Sequence, residues 1–291
     1  MTTTLRPTGP LQQADDGTLT RSYEVCVNSR PVGAVELGTV PGLGRTAGVI
    51  RSLRIDEADR RRGRGTVAAL AAEEVLRGWG CARIQVSVPA DASVALRLAA
   101  ALGYTERGRN MSKDLVGSRE QDELREAPGT GGSVLPAGLS VRPMTEDEFH
   151  GWYAAATEDF ARQWVARGLS EEEARAKSET SHRQLLPDGL ATGGTRFHVA
   201  VRDGAIVGQV WTGPAPDGAE HGAYVWDVAV AAEERGKGYG RALMLFAERV
   251  ARDSGAHRLG LHVFADNTPA LRLYESLGYR TTHINSHKPL L

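Results

Sequence analysis

The feature that most restricts this chain is that it contains the same segment twice. Residues Arg60 to Tyr104 align with Arg235 to Tyr279 at a constant offset of 175 positions without a gap, and 20 of the 45 pairs are identical. The offset extends back to Val32-Gly33 against Val207-Gly208. Self-similarity of that length marks a duplicated structural unit, so the 291 residues divide between two related domains of ordinary size. The expected division places residues 1–116 in the first domain and 138–291 in the second. Between them, at 117–137, a polar stretch (Gly117 to Ala127) and Pro128-Gly129-Thr130-Gly131-Gly132 carry too little apolar surface to offset their ordering entropy, which predicts an exposed linker.

The second copy holds the stretch with the clearest chemistry. Arg235-Gly236-Lys237-Gly238-Tyr239-Gly240-Arg241 follows an apolar run, Tyr224 to Val230, and opens an amphipathic segment, Ala242 to Ala251. Three glycines in five positions let the backbone turn without Cβ clashes, so successive N–H groups can converge on one anion. A helix beginning there adds unpaired N–H donors and its positive dipole end. The stretch therefore reads as a phosphate cradle. A nucleoside-triphosphate loop would need Gly-Lys followed by Ser or Thr after a longer spacer, and the dinucleotide fingerprint would need G-x-G-x-x-G. Neither is present; the spacing is G-x-G-x-G, within Arg235-x-x-Gly238-x-Gly240.

On these residues the sequence resembles the GNAT superfamily of acyl-CoA-dependent N-acyltransferases, whose pyrophosphate loop carries Arg-x-x-Gly-x-Gly. The resemblance continues in Asn267 and in Leu273-Tyr274-Glu275-Ser276-Leu277-Gly278-Tyr279, the family's second signature. It implies an α/β fold of two tandem GNAT-like domains, each a mixed, mostly antiparallel sheet flanked by helices. It also implies an acetyl-CoA co-substrate, a primary amine acceptor on a small molecule or peptide, and direct transfer in a ternary complex. Val228, Ala229 and Val230 would lie along pantetheine, with the Val228 N–H polarising the thioester carbonyl as a fixed dipole. Backbone N–H groups of Gly236, Lys237, Gly238, Tyr239, Gly240 and Arg241 would take the pyrophosphate, and Arg235 and Lys237 would add position and charge. Tyr274 would protonate the departing thiolate; its alternative is a helix tyrosine packed against the loop. Asn267 would contact CoA and serve as a helix N-cap.

An alkyl ammonium titrates about 3 units above neutral pH, by analogy with lysine, so something must take its proton before attack. Asp227, next to Val228, is the candidate, either directly or through water; simple edge exposure or a structural ion pair is the alternative. Glu158, Asp159 and His262 are secondary candidates. The first copy keeps Arg60-x-x-Gly63-x-Gly65 but has Ala92 where the second has Asn267, and Ala99 where the second has Tyr274. It also offers only about 17 residues, Leu5 to Tyr23, where the second copy has about 50 between Met144 and Phe197, the region that roofs the acceptor site in the resembled family. The first copy therefore reads as degenerate, either holding CoA without turnover or keeping an empty loop. Tandem arrangement with one degenerate copy also occurs among the superfamily's mycothiol synthases. Two other functions stay open: a non-catalytic CoA-sensing module, and a transferase using a longer acyl-CoA.

Composition narrows the remainder. A formal charge of −1 gives no drive toward nucleic acid or an anionic membrane. No run approaches 18 apolar residues, and the N-terminal segment has no apolar core of signal-peptide length, so a cytoplasmic location is expected. Cys26 and Cys81 suit reduced, partly buried thiols. His283 and His287 lack a carboxylate or Cys at ligand spacing, so no metal is expected. Two related domains could already form an internal pseudo-dimer in a monomer, with a homodimer as the other expectation.

Overall fold

The computed structural model describes residues 3–40, 47–115, 135–166, 169–216 and 222–290. The turn read at Pro41 to Gly44 and the linker from Gly117 to Gly132 lie outside the described residues. The chain forms two compact units. The first combines Met1–Gly108, Gly168–Ser181 and His283–Leu291; the second combines Arg109–Arg167 and His182–Thr282.

The first unit contains β1 (Thr3–Pro7), β2 (Gln12–Gln13), β3 (Leu19–Val27), β4 (Arg30–Thr39), β5 (Ala47–Ile55), α1 (Arg64–Gly78), β6 (Arg83–Pro89) and α2 (Ser93–Ala101). Its main sheet runs β1-β3-β4-β5-β6 and is antiparallel except for β5 beside β6. The second unit takes part of β7 (Thr105–Asp114), then β8 (Leu139–Pro143), α3 (Glu146–Val165), the end of α4 (Glu171–Leu185), β9 (Arg196–Arg202), β10 (Ala205–Gly213), β11 (Ala223–Val230), α5 (Tyr239–Asp253), β12 (Arg258–Phe264) and α6 (Thr268–Ser276). Its sheet runs β7-β12-β11-β10-β9-β8, with β11 and β12 parallel. The α/β class expected from sequence is thus present, each unit having a mixed, mostly antiparallel sheet flanked by helices.

Local chemistry explains why the two copies fold alike. The β3–β4 and β9–β10 hairpins are two-residue turns with both central residues at positive φ: Asn28 and Ser29 in one, Asp203 and Gly204 in the other. This is the type I′ geometry that suits the twist of paired strands. α2 and α6 both stop at a left-handed glycine, Gly103 (φ +85°) and Gly278 (φ +88°). In each, the next amide reaches back to close the last turn: Tyr104 N to Ala99 O and Tyr279 N to Tyr274 O, both 3.0 Å. α3 starts with a capping box between Thr145 and Glu148, reinforced by Arg142 Nη2 on Glu148 Oε1 at 2.6 Å. α1 packs Ala68, Ala72 and Leu76 under the first sheet, and α5 packs Leu243, Met244 and Ala247 under the second.

The end of the chain departs from the sequence reading, which divides it into Tyr279 to Ile284 and His287 to Leu290. It is one strand, β13 (Arg280–Pro289), because residues His283 to Pro289 find continuous antiparallel partners along β6. Asn285 and Ser286 look like turn residues in isolation, but the ladder overrides that local preference.

β13 also shows how each unit is completed. Residues 283–289 close the first unit's sheet against β6, and residues 109–114 of β7 lie in the second unit beside β12. β7 and β13 occupy equivalent places in the repeat, so each copy gives its last strand to the other's sheet. The contacts are reciprocal at the same offset of 175. Lys288 Nζ meets buried Glu73 of α1, and Lys113 Nζ meets buried Glu248 of α5, each at 2.7 Å. Lys288 lies over the ring of Tyr104 at 5.8 Å and Lys113 over that of Tyr279 at 5.9 Å. Leu290 N donates to Ala82 O, and Leu115 N to His257 O, both at 2.8 Å.

Candidate active site

β11 is paired on one side only through its second half. Along β10 the register runs from Gly213↔Tyr224 to Gly208↔Val230, whereas pairing to β12 is confined to Ala223, Tyr224 and Val225. The two parallel strands part where β11 carries an extra residue. Thr212 faces Val225 and Trp211 faces Asp227, leaving Trp226 as the bulge. A bulge bends its strand and re-aims the side chains that follow. Ala231 N donates to Val207 O at 3.0 Å. Because successive residues alternate sides along a strand, Ala229 faces β10, and the backbone groups of Val228 and Val230 face the open edge.

The strand leads into the glycine stretch. Gly236 has φ +79° and Gly238, the N-cap residue of α5, has φ +85°. Open space surrounds the place of a Cβ at both positions, so the backbone angle is what calls for glycine. At Gly240 a Cβ would come into contact with Leu273 Cδ2 at 3.4 Å and Val230 Cγ2 at 3.8 Å. The side chains of the stretch are mostly engaged with the protein. Arg235 Nε donates to Val230 O at 3.3 Å and ties the loop to the strand end. Lys237 Nζ pairs with Glu234 at 2.9 Å, and Arg241 Nη1 donates to Ser276 Oγ at 3.1 Å. Tyr239 is buried, and Arg202 donates to its hydroxyl. The backbone N–H groups at the start of α5 have no preceding turn to bond, so main chain rather than side chain presents donors there.

Tyr274 lies on α6, 6% exposed, and its hydroxyl is pushed up to about 12, first by burial and then by the Asp227 carboxylate. The Asp227 carboxylate thus acts electrostatically on the Tyr274 hydroxyl. Asp227 is itself raised by burial, opposed by donors from Trp152 and Gln209; Trp152 Nε1 donates to Asp227 Oδ2 at 3.1 Å. Asn267 caps α6, its Oδ1 accepting from Ala270 N at 3.2 Å. Of the secondary candidates, Glu158 and Asp159 are exposed on α3 and pair with Arg162, and His262 is exposed on β12 with its ring 4.9 Å from Phe264. Trp152 and Gln209 carry no motif: a tryptophan on an amphipathic helix reads as core, and a glutamine within a strand reads as surface.

The first unit repeats the backbone plan without the side chains. β5 pairs with β6 only from Ala47 to Ile50, the bulge falls at Arg51, Asp56 N donates to Val32 O, and Arg60 Nε donates to Ile55 O. Arg61 stands at φ +57° where the second copy has Gly236. Ser52 and Ala99 occupy the places of Asp227 and Tyr274. Arg64, in the place of Tyr239, is paired with buried Asp59, which also binds Arg30 at 2.8 Å. Between the parted strands, the Arg60–Gly65 loop and α2 lies a cavity of about 1110 Å³. That lies just above the usual range of about 300–1,000 Å³ for small-molecule sites. Among the described residues no group of His, Cys, Asp and Glu is placed to hold a metal, and no helix is long and apolar enough to cross a membrane.

These features have counterparts in known proteins. The family model described as Acetyltransferase (GNAT) family matches residues 5–104 and 151–279. An uncharacterized N-acetyltransferase of Bacillus subtilis, YdgE, is 32% identical over 154 residues, covering 52% of this chain and 98% of that protein. A mycothiol acetyltransferase of Thermomonospora curvata is 30% identical over 259 residues, 86% of this chain and 79% of its own length. Among solved structures, a tandem GNAT protein from the clavulanic acid biosynthesis pathway overlaps 96% of this chain and 85% of its own, with TM-score 0.54 and 22% identity, a likeness of fold. With both halves matched by one family model and both carrying the parted strands and the glycine turn, the chain belongs to the GNAT acetyltransferase family.

Proposed function

We propose that the second unit transfers the acetyl group of acetyl-CoA to a primary amine of a small molecule or peptide, with donor and acceptor bound together. The observation that carries this reading is the free edge of β11, which runs unpaired from Asp227 to the glycine turn. Acetyl-CoA fits that path: Val228 and Val230 offer backbone groups to a pantetheine arm, and the start of α5 offers N–H groups to a diphosphate without side chains in the way. Bound there, acetyl-CoA supplies the activated acyl group. Asp227 takes a proton from the acceptor ammonium at a carboxylate oxygen. The Val228 N–H stabilises negative charge on the carbonyl oxygen. Tyr274, kept protonated by burial, gives its hydroxyl proton to the departing sulfur.

The test is release of free CoA thiol from acetyl-CoA with a panel of amines that includes the acceptor of the mycothiol acetyltransferases. Amine-dependent release is expected. CoA binding without release from any amine would favour a sensing module, and faster release from a longer acyl-CoA would change the donor. One observation supports a second site of binding: the open cavity of the first unit, which suits a CoA-sized molecule held without turnover because Ser52 and Ala99 cannot move the protons. A cytoplasmic location, and a monomer or homodimer, complete the reading.

A further inference from the structure

Asp227 sits among groups that the resemblance does not account for. The indole of Trp152 is 7% exposed and wedged among the rings of Phe197 (4.9 Å), Trp211 (5.5 Å), Phe149 (5.6 Å) and His182 (6.4 Å). Packing on this many sides favours one orientation of the ring, in which its N–H donates to Asp227 Oδ2 at 3.1 Å. A carboxylate on a strand otherwise rotates broadly about its last torsion. Gln209 lies near enough to favour the charged carboxylate as well, and a carboxylate has about four acceptor positions, so room remains for an amine.

The repeat gives an independent reason to connect these residues with chemistry. In the copy without Tyr274, the places of Asp227 and Gln209 hold Ser52 and Ala34, and the aligned segment before β3 is too short for a helix equivalent to α3. The donor pair and the acid are kept or lost together, although both copies fold.

We propose that Trp152 is a positioning residue for acetyl transfer: its indole N–H, with the Gln209 amide, fixes the Asp227 carboxylate in its proton-accepting orientation. This rests on the reading of Asp227 as the base. Donors to a carboxylate favour its charged form, so removing one raises the pH at which Asp227 becomes available. The other titratable groups that act on it are Asp159 of α3, which opposes its ionisation, and His182 of α4, which favours it; Tyr274 of α6 is coupled to it.

The experiment is the pH profile of kcat/KM for Trp152→Phe, which keeps an aromatic ring and deletes the donor, with Gln209→Met as a second variant and Asp227→Asn as the reference. The acid limb should move to higher pH by about one unit in each donor variant, with CoA affinity unchanged, and should vanish in Asp227→Asn. The amine's own ionisation does not move with mutation. His182→Gln should keep an acid limb, which shows that the limb is not the imidazole's. If Asp227→Asn abolishes the limb but neither donor variant shifts it, Trp152 merely packs and the inference falls alone. If Asp227→Asn keeps the wild-type profile, the base assignment falls and the positioning role with it.

Discussion

Tyr274 and Ala99 hold the same place in two units built on the same backbone plan, so one of the differences between the units is a buried hydroxyl. Burial keeps that hydroxyl protonated across the physiological range, as the proposed role of proton donor requires. Tyr274→Phe is expected to lower kcat at least about tenfold while CoA affinity changes little, as befits an interaction made in the transition state; steady-state kinetics with calorimetric binding would check both quantities. At this scale the sequence is readable where a motif carries the residue: Tyr274, Asn267 and the glycines stand in signatures. Arg235 and Lys237 show the limit of such reading. Basic residues in a phosphate loop suggest ligand contacts; what sequence does not give is that Arg235 also braces the strand end and Lys237 also pairs with Glu234. Trp152 illustrates the converse, since its importance depends on Asp227, 75 positions away.

The elements are legible wherever their signals are local. The apolar run Tyr224 to Val230 and the amphipathic segment Ala242 to Ala251 mark β11 and α5 to within a few residues. The destination of the last strand in each copy is not local. Nothing in the composition of Thr105–Asp114 or Arg280–Pro289 says which sheet will receive it, because either sheet offers the same edge. Lys113 and Lys288 are two of four lysines in an arginine-rich chain, and each compensates a glutamate buried on the helix after the glycine loop. Removing one partner leaves a buried charge alone, which costs about 3–5 kcal/mol, whereas replacing both by apolar residues is often neutral or stabilising. Denaturant unfolding should therefore show Lys288→Met strongly destabilising and Lys288→Met with Glu73→Met much less so. Lys113→Met should fall at the lower end, since Arg252 stays 3.7 Å from Glu248.

For the molecule as a whole, the duplication predicts two places for a nucleotide thioester and one for chemistry. Titration of the full chain with CoA should give a stoichiometry of two, reduced to one when Gly63 and Gly65 are both replaced by bulky residues, with turnover retained. A stoichiometry of one in the unaltered chain would make the first cavity a vacant remnant. The crossed final strands carry a further consequence. A cut anywhere between the copies would yield two pieces that remain interlaced, each holding part of the other's sheet, and melting either half would strip its neighbour of a strand. Side chains around the first copy's cavity can change without touching either sheet, but deleting that copy would take β7 from the sheet of the second unit.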